Sequence, residues 1–243
     1  MSDASSGSGL SFTERARQFL AARFDPKSQL GLGLTISLGA FVLAIWALSG
    51  LLDAVLDNTT LVRVDMRAAA WFHAHSTPTG LKIFDVITQL GAPAVDVVIV
   101  LVGIYLWRAR EHLLLWSWLA ANLGSKVVEH VLKSTVHRSR PEYSASYLFT
   151  QSYSFPSGHS MGSTVCYLLL SYLIVMRVPM RSTARAAVYV LAIALILAVA
   201  FSRLYLGVHY PSDVVGGMAA GVAWLSVCGA TRRVVAHRWS LST

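Results

Sequence analysis

Charge is scarce along this chain. Asp, Glu, Lys and Arg make up 13% of its 243 residues, against roughly 25% in soluble domains. Apolar residues make up 55% and mean hydropathy is +0.56, so the chain reads as an integral membrane protein rather than a soluble globular one. Cysteine is rarer still. Cys166 and Cys228 lie inside apolar runs at different depths, which argues against a disulfide, and two thiols cannot build a thiolate zinc site. Both read as small apolar residues. There is no cluster of carboxylates, no Gly-rich phosphate loop of the Walker kind and no tandem repeat, so nothing calls for a metal or another cofactor. What the chain has instead is long apolar runs and a formal charge of +8.

A membrane-crossing helix needs about 20 apolar residues. Six runs qualify, at about 30–52, 91–107, 112–133, 158–177, 183–203 and 211–230. The expected fold is all-α: a polytopic membrane protein with six transmembrane helices. Residues 1–29 are polar and then basic (Arg15, Arg17, Arg23, Lys27), and read as a flexible N-terminal segment. The run that follows is too long, and too far from the start, for a signal-peptide core. The expected division is 1–29, a transmembrane domain over 30–232, and a short tail over 233–243.

Six crossings put both termini on one side. That side collects twelve basic residues: the four just named, Arg108, Arg110, Arg177, Arg181, Arg185, Arg232, Arg233 and Arg238. It is expected to be cytoplasmic. Basic residues scattered through short loops suit anionic lipid headgroups better than nucleic acid. In the first extracytoplasmic loop, Leu61, Val64, Ala68, Trp71 and His75 recur at helical spacing, which predicts a short interfacial helix.

Against this pattern, residues 137–160, HRSRPEYSASYLFTQSYSFPSGHS, are crowded with cations and donors. About two crossings separate His159 from Arg203, so 137–160 and SRLYLGVHYPSD (202–213) return to the same, extracytoplasmic, face. Three patterns meet there. KSTVHRSRP (133–141) has Lys, six residues, then Arg-Pro; PSGH is 156–159; SRLYLGVHYPSD has Ser-Arg, five residues, His, three residues, Asp. In order and spacing they resemble the three-part signature of the type 2 phosphatidic acid phosphatase superfamily, and six helices resemble its bacterial membrane branch. The motifs cover about a third of the chain.

The chemistry stands without that likeness. A transferring phosphoryl group spreads negative charge over three oxygens and needs fixed cations and donors. Lys133, Arg140 and Arg203 supply cations, against the loop-charge trend. Ser157 and Gly158 open the fourth span, where backbone N–H groups favour an anion. The resemblance implies the remaining roles: His209 as nucleophile, His159 as general acid and then base, and Asp213 orienting His209. Two histidines needed in opposite protonation states imply a bell-shaped pH profile.

Neighbouring residues have plainer readings. Arg138, one residue from the motif's Arg140-Pro141 pair and not itself a signature position, reads as an arginine snorkelling to the interface. His73, His75, His112 and His237 read as polar filler; HAH (73–75) invites a metal but has no evident third ligand. Tyr143, Tyr147 and Tyr153 suit the interface or substrate entry. Asp213 also suits the dipole at a helix start, and Ser157 also suits an N-cap. On the third span Glu129 lies four before Lys133 and three after Lys126, and is expected to position Lys133. Asp96 stands isolated. GGMAAG (216–221) gives the last span a close-packing face, for an internal or an external neighbour.

The expectation is a metal-independent lipid phosphatase in a bacterial inner membrane, forming a phosphohistidine, with no obligatory protein partner. Undecaprenyl diphosphate, phosphatidylglycerol phosphate and phosphatidic acid are the candidate substrates, the first of them within a broad range. A lipid phosphotransferase would use the same intermediate. An ion-coupled transporter would need charges at the middle of several spans, and a non-catalytic lipid binder would not need to keep every signature residue.

Overall fold

A computed structural model describes residues 31–57, 60–142 and 152–242, with Ser11, Thr13, Glu14 and Arg17 from the N-terminal segment. The rest of segment 1–29, Tyr143 and Tyr147 lie outside the described residues. Eight α-helices occur among those described: α1 (Leu32–Leu56), α2 (Thr60–His75), α3 (Pro78–Thr88), α4 (Pro93–Arg108), α5 (His112–Val136), α6 (Gly158–Arg177), α7 (Ser182–Tyr205) and α8 (Pro211–Ser242). The fold is all-α and the protein is a polytopic membrane protein. Among the described residues, five stretches are long and apolar enough to cross a membrane: α1, α3 with α4 (Pro78–Arg108), α6, α7 and Pro211–Arg238. α5 is equally long at 25 residues, but Lys126, Glu129, His130 and Lys133 set it apart, so the count of six rests on that helix.

The expected interfacial helix is present as α2, with only Asp65 and Ala69 buried, one turn apart. The loop holds a second helix that the apolar pattern did not suggest. Thr77 caps α3 by accepting the Gly80 N–H at 3.0 Å, and Pro78 occupies its first turn. A cap followed by proline is a readable start signal. A 3₁₀ turn at Gln89–Gly91 and Pro93 then break the rod, and α4 resumes. At the other end α8 runs on to Ser242, through the expected tail.

Large apolar side chains face outward: Val42, Leu43 and Trp46 on α1, Leu101 and Trp107 on α4, Val190 and Leu191 on α7. In water this would be an interaction surface, but in a bilayer it is the solvated face. Since lipid tails are as apolar as leucine, close packing must hold the bundle together. α6 is its centre, touching α4, α5, α7 and α8. Its buried face is built of small residues such as Ser160, Ser163, Thr164, Cys166 and Ser171. Their hydroxyls are satisfied locally, Thr164 donating to the Ser160 carbonyl at 2.7 Å and Ser171 to that of Leu168 at 2.8 Å.

GGMAAG serves this internal contact. A Cβ at Gly217 would strike the Ser157 carbonyl, and one at Gly221 would lie 3.1 Å from that of Met161. Indole donors tie the other helices in: Trp118 to the Ile99 carbonyl at 3.0 Å and Trp224 to that of Ala121 at 2.9 Å. Both cysteines are free thiols. At one end of the bundle Arg177 reaches Glu111 at 3.0 Å, gathering the ends of α4 to α6; the polar segments meet at the other.

Candidate active site

The end of α7 explains the spacing of the third motif. Val208 N–H donates to the Arg203 carbonyl at 3.2 Å and Gly207 N–H to that of Leu204 at 3.0 Å, a Schellman stop. Gly207 has φ 65, a conformation glycine adopts without a Cβ penalty. The chain reverses there, His209 comes back over the bundle, and Pro211 starts α8 with Asp213 in its first turn.

On the other side His137 ends α5 in the left-handed region, and the chain runs on past Arg138 and Arg140. Residues 152–154 lace onto this extended segment of loop: Ser154 N–H donates to the Arg138 carbonyl at 2.8 Å, and Arg140 Nε to the Ser152 carbonyl at 2.9 Å. Ser157 caps α6, its Oγ accepting the Ser160 N–H at 3.4 Å.

His209 is buried at the meeting point. Arg140 Nη1 lies 3.4 Å from its Nε2, and its Nδ1 faces Asp213 Oδ2 at 3.5 Å. Since arginine can only donate, Nε2 is the acceptor and Nδ1 carries the proton. Burial pushes the imidazole down to about 4, with Arg203 and Arg140 adding to the shift and Asp213 opposing it. The ring is therefore neutral at pH 7, with a lone pair on Nε2. Asp213 is fully buried. Its Oδ2 accepts the Tyr210 N–H at 2.8 Å and its Oδ1 an N–H of Arg138 at 2.6 Å.

The other expected residues gather round. The cationic neighbours of His159 are Arg203, Lys133 and Arg140, with the His209 ring beside them, and its ring packs on Gly91, at the break between α3 and α4. Arg203 is buried; its Nη1 donates to Thr88 Oγ1 at 2.8 Å, while its buried Nε has no protein partner. No motif pointed to Thr88, which comes from the unforeseen α3. Lys133 pairs with Glu129 at 2.8 Å as expected. The Glu129 carboxylate leans on Gly158, where a Cβ would collide with it. Ser157 departs from expectation. Its N–H donates to the Asp213 carbonyl at 2.9 Å, so it ties α6 to α8 and is not available to an anion. Gly158 and His159, in the first turn, keep N–H groups that have no intrahelical acceptor.

Two further readings change. Arg138 does not snorkel: its side chain is 9% exposed and lies between Asp213 and Asp65, the latter at 2.7 Å. Burial alone disfavours its charge, but the two carboxylates outweigh that and hold the guanidinium above its usual range. Asp96 is not isolated. It pairs with Lys126 at 2.6 Å, which takes Lys126 away from Glu129. Tyr153 meets His137 edge to face at 4.4 Å. His75 stacks on Trp71 and bonds its carbonyl at 2.8 Å.

Fold and site together define a class: a membrane-embedded helical bundle with a neutral buried imidazole, a second histidine and a ring of cations at a helix N-terminus, a suitable setting for phosphoryl chemistry. Residues 114–234 match the PAP2 superfamily model. Over 142 residues the chain is 34% identical to phosphatidylglycerophosphatase B of Bacillus subtilis (strain 168), across 56% of this chain and 67% of that one. It is also 34% identical, over 111 residues, to decaprenylphosphoryl-5-phosphoribose phosphatase of Mycobacterium tuberculosis (strain CDC 1551 / Oshkosh), across 43% of this chain but only 55% of that relative. The crystal structure of a transmembrane PAP2 type phosphatidylglycerolphosphate phosphatase from Bacillus subtilis superposes with a TM-score of 0.67 at 26% identity, over 79% of this chain and 93% of that one. The chain belongs to the PAP2 superfamily.

Proposed function

We propose that this protein, a lipid phosphatase of the PAP2 superfamily, hydrolyses a lipid phosphate through a phosphohistidine on His209, without a metal. The observation that carries the reading is the environment of His209: neutral through burial, its Nε2 3.4 Å from Arg140, its Nδ1 turned to Asp213. The phosphate sits among Arg140, Arg203 and Lys133, against the N–H groups of Gly158 and His159. Nε2 attacks phosphorus as the bond to the lipid oxygen breaks, and His159 gives that oxygen its proton. Water then attacks phosphorus as the N–P bond breaks, His159 takes the water proton, and inorganic phosphate leaves with His209 neutral again.

The site faces outward from a bacterial cytoplasmic membrane, with both termini inside. Support comes from the basic end of the bundle around Arg108, Arg177 and Arg232, opposite the cluster. Phosphatidylglycerol phosphate is the first substrate of choice, because a relative and a solved structure carry that activity in their names. A polyprenyl-linked sugar phosphate is the second, on the other relative's name, and undecaprenyl diphosphate stays a candidate.

The test is phosphate release in detergent with EDTA from phosphatidylglycerol phosphate, undecaprenyl diphosphate and phosphatidic acid, by wild type beside His209→Ala. Release by wild type alone supports the reading, and the ratios rank the lipids. Equal release by both proteins overturns the nucleophile. Transfer of phosphate to an added lipid alcohol in preference to water would make the protein a phosphotransferase.

A further inference from the structure

Asp213 divides its two oxygens between two duties. Oδ2 serves the Tyr210 N–H at 2.8 Å and faces His209, while Oδ1 is held by Arg138 Nη1 at 2.6 Å. Arg138 is gripped from behind. Its Nη2 reaches Asp65 Oδ2 at 2.7 Å, its Nη1 also reaches Ser212 Oγ at 2.7 Å, and its guanidinium lies 4.3 Å from the centre of the Tyr210 ring. Asp65 accepts the Ser212 N–H at 3.1 Å and the Ser212 hydroxyl, so it also caps the start of α8. Both carboxylates are fully buried. A guanidinium whose two terminal nitrogens are committed to buried protein oxygens is placed to hold a side chain rather than bind a phosphate.

We propose that Asp65 and Arg138 are positioning residues of the phosphoryl-transfer site: they hold the Asp213 carboxylate in one orientation and, through it, the tautomer and aim of His209. The proposal rests on His209 being the nucleophile. Two effects follow, and they separate in experiment. Geometrically, losing either residue lets the carboxylate turn and His209 lose its aim, which lowers kcat and leaves KM alone. Electrostatically, the two losses act in opposite directions. Without Arg138 the full charge of Asp213 acts on His209 and favours the imidazolium. Without the Asp65 charge, Arg138 is left to Asp213 alone and the imidazolium is favoured less. The other charged groups facing His209 are Arg140, Arg203 and His159, and they are the same in both variants.

The experiment takes full-length wild type, Arg138→Gln and Asp65→Asn in detergent. It reads kcat and KM for phosphatidylglycerol phosphate and, separately, the His209 titration by ¹⁵N-imidazole NMR, which needs no substrate. Arg138→Gln is expected to lower kcat about tenfold, the equivalent of about 1.4 kcal/mol of positioning, with KM within about twofold. It should raise the His209 midpoint by at least about half a unit. Asp65→Asn should also lower kcat, but move the midpoint down or not at all. A folded Arg138→Gln with wild-type kcat and an unmoved midpoint overturns the proposal, and so does a raised KM with unchanged kcat, which would put Arg138 on the phosphate. If Arg138→Gln does not fold, the near-isosteric Asp65→Asn decides, and wild-type kcat there overturns it. His209→Ala is run alongside. Retained activity in that variant removes the nucleophile and this inference together; a dead His209→Ala beside unaffected Arg138 and Asp65 variants removes only the inference.

Discussion

Gly158→Ala is the most informative small change in the site, because its effect should travel through another residue. The added methyl would fall on the Glu129 carboxylate, 2.6 Å from Oε2 and nearer still to Oε1. A glutamate end can swing aside, so the helix should survive. Alanine in a helix is favoured over glycine by roughly 0.5–1 kcal/mol, which offsets much of a partly exposed ion pair. The displaced carboxylate, however, releases Lys133, which it holds at 2.8 Å. A hydrogen bond to a charged group contributes about 1.5–3 kcal/mol. If that positioning acts in the transition state, kcat/KM should fall by about 10- to 100-fold. Glu129→Ala should produce the same loss by the direct route. In the double variant the added methyl has no carboxylate to strike, so activity should match Glu129→Ala alone. The assay is phosphate release by the four proteins, with thermal melts to confirm folding. Losses that multiply in the double variant would refute the route through Glu129, and an unimpaired Glu129→Ala would refute the role of the pair.

Other outcomes follow from the same geometry. His209 must be neutral to attack, and its midpoint lies at about 4; activity should therefore rise as pH climbs through about 4, and turnover that stays flat across that range would count against His209 as the nucleophile. EDTA should leave wild-type turnover unchanged, since arginines and a lysine carry the phosphate charge; loss restored by a divalent cation would reverse that reading. Gly217→Leu should lower the melting temperature sharply, by the equivalent of about 1–3 kcal/mol, because the side chain would meet the Ser157 carbonyl and other backbone of α6, which cannot swing aside; a stable variant would mean α6 and α8 can move apart.

The sequence is most readable where chemistry demands a fixed spacing. Arg203 and His209 are separated by a helix stop and a glycine reversal, and that local geometry constrains the interval. Lys133 and Glu129 sit one helical turn apart, so their pairing follows from periodicity. Asp65 escapes notice because in LVRVDMR it looks like any charge on an interfacial helix; its meaning depends on partners 73 and 147 positions away. Arg138 misleads for the same reason, and Asp96 because Lys126 lies 30 residues on. The helix α3 could have been found from its Thr-Pro start. Its service to the site, through Thr88 and Arg203 across 115 positions, could not.

The clasp between Asp65 and Ser212 joins the second helix to the first turn of the last one, and α1 packs most extensively on α8. During synthesis at about 5–20 residues per second, those 147 positions take roughly 7 to 30 s to emerge. For the first half of that interval Asp65 has neither partner, for the second half it has only Arg138, and α1 still lacks its main neighbour, α8. Folding of this enzyme is therefore completed by its last helix: a nascent chain that lacks α8 carries Lys133, Arg138, Arg140 and His159, yet has no place to assemble them.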